Sequence, residues 1–401
     1  MRALQTIANG FVQVLSSLGL SAGLIIYLAL LTWLGTLEQV NSSLYDVTRK
    51  YFTSFWFVHD SGPVPIPLIG GNTVLGLLSV NLIVGGLLRL RRSWEMIGIY
   101  IAHIGILALI LSGAGKLWLS EEGHTTLYEN DRSNEYQSYY EIELVLREYG
   151  EDGLVTERAI DAEHFERATG ADPARLPAES LPFDLELRHY ASNSRAMRKG
   201  PMFDVSVPVE EGVFLDKRPR EMNAEFNQPG VHITVRPKDG SPSLSAWSWT
   251  LELAPFSFDL QGRTYTVAVR KQRYSLPFAL QLDEFTKINH PRTGMPKSFS
   301  SQVTVTENGS SRPVLIEMNK PLRTGEFIVY QASWGPSDAS PGDPLFSTLA
   351  VVRNPTDQYP FYSLIVITIG LLLHFFLKLE RYATKTNSKS ASDPNDEAET
   401  E

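Results

Sequence analysis

The chain has 401 residues, a formal net charge of −9 and no cysteine. The missing cysteine excludes disulfide bracing, thiol redox chemistry and thiolate metal ligation by this chain itself, and the acidic balance argues against nucleic acid as a partner. A mean hydropathy of −0.11 is that of a soluble protein, yet the apolar residues gather in four clusters with a polar stretch between the third and fourth, so the average conceals membrane spans.

The first span is predicted over about 16–36, near the ~20 residues that a hydrocarbon core requires of a helix. Its only charged n-region residue is Arg2, and no small-x-small cleavage site follows, so a retained anchor is expected rather than a cleaved signal. The loop 37–67 is rich in Tyr, Phe and Trp and suits an interfacial belt. A short amphipathic helix is expected around Ser43 to Phe55, and His59 reads as a solvated loop histidine that could touch a ligand leaving the membrane. Spans two and three are predicted over about 68–88 and 95–115, completing an N-terminal membrane region of residues 1–115. In the second, Asn81 reads as a helix contact or a cavity-lining residue.

Residues 116–358 alternate as β-structure in YYEIELVLREY (139–149), VHITVRP (231–237), RTYTVAVRKQRY (263–274), SFSSQVTVTE (298–307) and EFIVYQASW (326–334). Turn clusters such as ENDRSN, RPKDGSPS, NHPRTGMP and GPSDASPGDP separate them, and Asp161 to Ser180 reads as a weaker, helical patch. No internal repeat is visible. A fourth span is predicted over 359–380, and 381–401 reads as a disordered cytoplasmic tail. Arg89, Arg91 and Arg92 share a side with Lys378, Arg381, Lys385 and Lys389, whereas the competing loop offers only Arg49 and Lys50. The expected fold is therefore a four-helix multi-pass membrane protein with both termini in the cytoplasm and a large all-β, antiparallel, sandwich-like extracytoplasmic domain inserted before the last helix.

Of the eight histidines, only His103 and His374 fall inside predicted spans. Counted from the charged ends at ~1.5 Å per residue, His103 lies ~12 Å and His374 ~9 Å from the same face, so one shared depth is expected. A neutral imidazole there either offers a ring nitrogen to a metal such as haem iron or bonds a neighbouring helix's carbonyl. Both readings stand for each residue, and LLLHFFLKLE lets His374 lean toward the headgroups. Gly98, Gly105 and Gly113 would admit a close helix or a flat ring. His124, His164, His189, His232 and His290 show no metal-ligand spacing, and no hydrolase, Walker or HExxH motif appears.

Several stretches carry a resemblance: LGTLEQ (34–39), LYDVTRKYFTSFWF (44–57), RRSWEMIGIYIAHIGILALILSG (91–113), SLPFALQLDEF (275–285), PKSFSSQVTV (296–305), MNKPLRTGEFIVYQASW (318–334) and VVRNPTDQYPF (351–361). In this order they resemble the ResB family, also called CcsB, a membrane component of system II cytochrome c biogenesis. At 352–356 the family often shows an Asp-Pro-Gly-like turn, where this chain has Arg353-Asn354-Pro355-Thr356. The resemblance implies a multi-pass protein of the bacterial cytoplasmic membrane with a periplasmic domain. It implies a ResC/CcsA-type membrane partner, haem b in transit, and delivery of that haem to the CxxCH of apocytochrome c. It makes His103 the axial haem ligand and leaves His374 as a second ligand or accessory. Asn319, Pro321 and Gln331 would organise the β domain and carry no chemistry. The chain would be part of a holocytochrome c synthase complex rather than an autonomous enzyme, with no catalytic residue of its own, and a separate thioredoxin-like reductant would keep the thiols reduced. The alternative is a membrane-anchored β-domain scaffold for an exported partner, with no haem binding. A transporter is disfavoured because four spans without an inverted repeat make a poor alternating-access unit.

Overall fold

The structure, a computed structural model, describes residues 10–60, 64–150, 153–176, 180–201, 203–291, 296–336 and 343–391. The chain divides into two compact units, one drawn from Met1–Val40, Asp46–Ser120 and Asn354–Glu401, the other from Asn41–Tyr45 and Glu121–Arg353.

The first unit holds four helices long and apolar enough to cross a membrane: α1 (Leu18–Glu38), α2 (Gly71–Leu88), α3 (Trp94–Leu119) and α4, whose apolar part is Tyr359–Thr384 and which continues to Ala391. Ser17 starts α1 with extended backbone, and its hydroxyl accepts from the Leu20 amide at 3.1 Å. At its other end α2 changes pitch: Gly71–Asn81 is α-helical and Leu82–Leu88 is a π-turn, with the Arg89 amide donating five residues back to Val84. Of the tail expected to be disordered, 381–391 is the end of α4, and 392–401 lies outside the described residues.

The loop after α1 departs from expectation. Helix covers only Leu44–Val47, followed by a π-turn at Thr48–Phe52 and an antiparallel hairpin of Trp56–His59 with Ile66–Ile69. Tyr51 and Val47 point inward and form a small core with Leu31, Phe57 and Val74, which fixes the loop against α1 and α2. Asn81 makes the helix contact predicted for it, donating to the carbonyls of Leu15 at 2.8 Å and Ser17 at 3.0 Å.

The second unit is built on a ten-stranded antiparallel sheet. Its main path runs Ser310–Glu317, Pro296–Glu307, Arg263–Asn289, Arg132–Tyr149, Glu121–Tyr128, Phe346–Arg353, Phe327–Gly335 and Leu322–Thr324, with Phe256–Leu260 and Val155–Asp161 paired onto the two long strands. A four-stranded sheet orders Leu244–Trp249, Gly230–Pro237, Phe183–Ala191 and Ala174–Leu176. All five alternating segments are strands, but the one expected to stop near Tyr274 continues to Asn289. Pro277 has no amide to donate, and it falls where pairing to the neighbouring strand lapses between Ser275 and Leu280. The strand therefore survives its proline. The patch at Asp161 to Ser180 is not a helix: it holds one 3-10 turn at Ala162–His164 and the short strand Ala174–Leu176, with Phe165 buried as its anchor. Parts of two predicted turns, 292–295 and 337–342, lie outside the described residues.

Two apolar cores fill this unit. Leu276, Leu280, Leu282, Val303, Val329 and Val351 belong to one, and Leu144, Phe183, Leu187, Ile233, Val267 and Val269 to the other. Arg132–Tyr149 and Arg263–Asn289 supply side chains to both.

Candidate functional site: the faces of the third helix

α3 packs on two neighbours, and small residues decide how close each comes. Toward α4 it presents Gly98, Ala102 and Gly105, all buried. A Cβ added at Gly98 would lie 2.5 Å from the His374 amide nitrogen, and one at Gly105 would lie 2.9 Å from that of Ile367. Reciprocally, a Cβ at Gly370 would lie 2.5 Å from the Ala102 nitrogen. The two backbones touch, as small residues at helix seams permit. Glu95 and Arg381 close one end of this seam with a 2.7 Å ion pair, and Thr356 closes the other by donating to the Ser112 carbonyl at 3.2 Å. A Cβ added at Gly113 would meet nothing within 4 Å, so this glycine does not serve the close approach expected of it.

One residue further round the helix, His103 faces α2. Its Nδ1 lies 2.9 Å from the Gly86 carbonyl oxygen in the π-turn. The last carbonyls of a helix lack amide partners within it, so the Nδ1–H donates there and satisfies one of them. Tyr100 donates in the same way to the Leu90 carbonyl just past the end of α2, at 2.8 Å. Gly86 makes the approach possible, because a Cβ there would fall 2.7 Å from Nδ1. With the proton on Nδ1, the lone pair sits on Nε2, which has no hydrogen-bond partner among the described residues. This is the arrangement that orients a metal-binding imidazole, with one nitrogen fixed by a carbonyl and the other left to a ligand.

His374 stands differently. The antiparallel register sets it beside Gly98, five residues along α3 from His103 and hence ~7 Å along the axis. The shared depth expected from counting residues to the charged ends is corrected, because that count ignores where the helices cross. Its Nδ1 is buried and has no partner among the described residues.

His59 is not a solvated loop residue. It ends a strand with its side chain 17% exposed, and Nδ1 lies 2.7 Å from the Tyr51 hydroxyl. Tyr51, fully buried, donates to Glu38 at 2.6 Å. Its single proton is thereby used, so the His59 Nδ1–H donates to the phenol oxygen. Lys50 bridges Glu38 and Asp60 at 2.8 Å each. Burial pushes the Lys50 ammonium down, and its bonds to Asp60 and Glu38 outweigh burial and hold it above its ordinary value. Burial and Glu38 together push the Tyr51 phenol up. Sequence reading missed both this relay and the Gly86 carbonyl. The signals available were a Gly85-Gly86 pair at the end of a span and a Glu, Lys, Tyr and His set on one short loop. No cluster of three or more metal-ligating side chains occurs among the described residues.

Residues 260–343 match the model of the ResB-like family, the family that the sequence motifs resemble. The match takes in the long strand Arg263–Asn289 and the strands up to Phe327–Gly335, and does not include His103. No curated protein sequence matches the chain.

Proposed function

We propose that this ResB-like chain serves cytochrome c biogenesis by holding haem in the membrane through His103 and helping to deliver it for attachment to the CxxCH of exported apocytochrome c. The observation that carries the reading is the Nδ1–H bond to Gly86, which leaves Nε2 free and aimed. Haem is the cargo, and its iron takes a neutral imidazole as axial ligand. The apolar residues of α3 suit a porphyrin face, and the backbone contact with α4 keeps the helix from shifting under the ligand.

The chain lacks cysteine, so a thioredoxin-like reductant supplies reduced thiols and a ResC/CcsA-type protein completes the complex. His374 acts as an accessory, its buried Nδ1 having no partner among the described residues and being open to an incoming group. The β-rich unit lies on the extracytoplasmic side and positions the apocytochrome, an effect of proximity. Both termini are cytoplasmic, following the distribution of Lys and Arg.

One observation favours the scaffold reading: the family match lies wholly outside α3, and a bond to Gly86 is by itself a sufficient structural use of His103. The test is to purify the chain with its partner, with and without His103→Ala, and to compare haem content by the Soret band. Loss of haem at equal protein yield supports haem handling. Unchanged haem and unchanged cytochrome c yield remove His103 from the mechanism and leave the scaffold.

A further inference from the structure

A cavity of about 600 Å³ opens in the β-rich unit where the pairing of its two long strands is interrupted. Lys271 pairs with Ile142 but Arg273 with Gln137, so residues 138–141 bulge out of register. A bulge re-aims side chains and backbone. Here it turns the Tyr139 carbonyl onto Lys271 Nζ, at 2.6 Å, and lays the Tyr139 ring on His124, with centroids 4.9 Å apart.

The polar groups of the wall are not balanced. Arg147 pairs with Glu157 at 2.8 Å, Arg270 with Glu143 at 2.7 Å and with Glu157 at 2.6 Å, and Arg273 with Glu135 at 3.6 Å. Lys271 has no carboxylate within ion-pair distance among the described residues. Among the described residues one of its three N–H groups has a partner, the Tyr139 carbonyl. His124 Nδ1 and Glu252 Oε2 also line the cavity, are buried, and have no hydrogen-bond partner among the described residues. Buried polar atoms are normally satisfied, so two orphan atoms and an ammonium with spare donors around one space mark a missing partner. Phe226 and Leu251 stand at the same wall and are each 62% exposed, which adds an apolar surface beside the polar one.

We propose that this cavity binds a carboxylate carried on an apolar body, its oxygens accepting from Lys271 Nζ, His124 Nδ1 and the Glu252 carboxyl. The site is separate from His103 and does not rest on the haem reading. Electrostatics agree with the geometry. Burial pushes the Lys271 ammonium down to about 8, against the opposing pull of Glu225, so it is mostly charged at pH 7. Burial pushes the Glu252 carboxyl up to about 7, so near neutrality a large fraction carries the proton it would donate. Burial and Lys271 lower His124, which is then mostly neutral. With Glu252 protonated, the three groups together present about one positive charge, the complement of one carboxylate.

The same chemistry comes from a free small acid or from an acidic side chain of an extended polypeptide. The test is pulsed acylation of lysines on the full chain in maltoside at pH 7, read by mass spectrometry, with Lys320, 74% exposed, as the internal reference. The probes are octanoate and octanamide, and an apolar peptide with one Glu beside its Gln counterpart. Lys271 labelling is expected to fall about fivefold or more as a carboxylate probe saturates, because protection follows 1 + [L]/Kd. Protection by octanoate and not octanamide assigns a free acid, and protection by the Glu peptide alone assigns a polypeptide. Equal protection by the amides, or none by any probe, overturns the proposal.

Discussion

The two seams of α3 are both lined with glycine, yet they do different work. Against α4, Gly98, Ala102, Gly105 and Gly370 remove side chains so that backbone meets backbone. Against α2, Gly86 removes a side chain so that an imidazole meets a carbonyl. The first seam is complete in itself, whereas the second leaves a ring nitrogen over. Small residues between helices therefore do not distinguish a structural contact from a site, and the polar atom left unspent does.

The largest effect that would separate the seams is expected at Gly98→Leu or Gly370→Leu. Each drives a side chain into backbone, with a cost of about 3 kcal/mol or more. Loss of folded protein on size-exclusion in detergent is expected, whatever the haem content. His103→Ala comes next and reverses the pattern: haem per protein falls about tenfold, as loss of ~1.4 kcal/mol or more of ligand binding requires, while protein yield holds. Should both substitutions reduce yield alike, the distinction between the seams fails.

Gly86→Ala sharpens the comparison, since its Cβ would sit 2.7 Å from Nδ1 and displace the ring. An intermediate haem loss is expected, with Gly76→Ala as a silent control because nothing lies within 4 Å of its Cβ. His374→Ala is expected to reduce haem least. A loss equal to that at His103 would argue for two axial histidines within one chain. Apart from the seams, Tyr51→Phe removes two hydrogen bonds, one to the charged Glu38 and one from His59, and is expected to lower stability by about 1.5–3 kcal/mol, measured by thermal unfolding in detergent.

Much of this architecture is legible in the sequence because its causes are local. Apolar runs of span length become four helices, and β-branched alternation becomes the strands at 139–149, 231–237 and 298–307. The alternating segment reads only as far as Tyr274, and only the neighbouring strands show that the strand runs on past Pro277, whose missing amide falls in an unpaired stretch. The π-turn at Leu82–Leu88 has no periodic signature distinct from an α-helix. Its end is held by tertiary contacts with Tyr100, His103 and Ser16, which no local pattern reveals. His103 is legible as an anomaly in hydrocarbon, but its tautomer is not, since that depends on a carbonyl 17 residues away. The His59 relay joins residues from the end of α1, a π-turn and a hairpin that sequence patterns do not foresee.

The pair of strands shared by both β cores has a mechanical consequence. Arg132–Tyr149 and Arg263–Asn289 are continuous from one apolar cluster into the other, so neither cluster can melt without fraying the ladder that also supports its neighbour. Amide exchange should report similar opening energies on the paired stretches either side of the bulge, with faster exchange where pairing lapses between Ser275 and Leu280. Strain imposed on one cluster would then reach the other through covalent chain, across the bulge at 138–141 that lies between them.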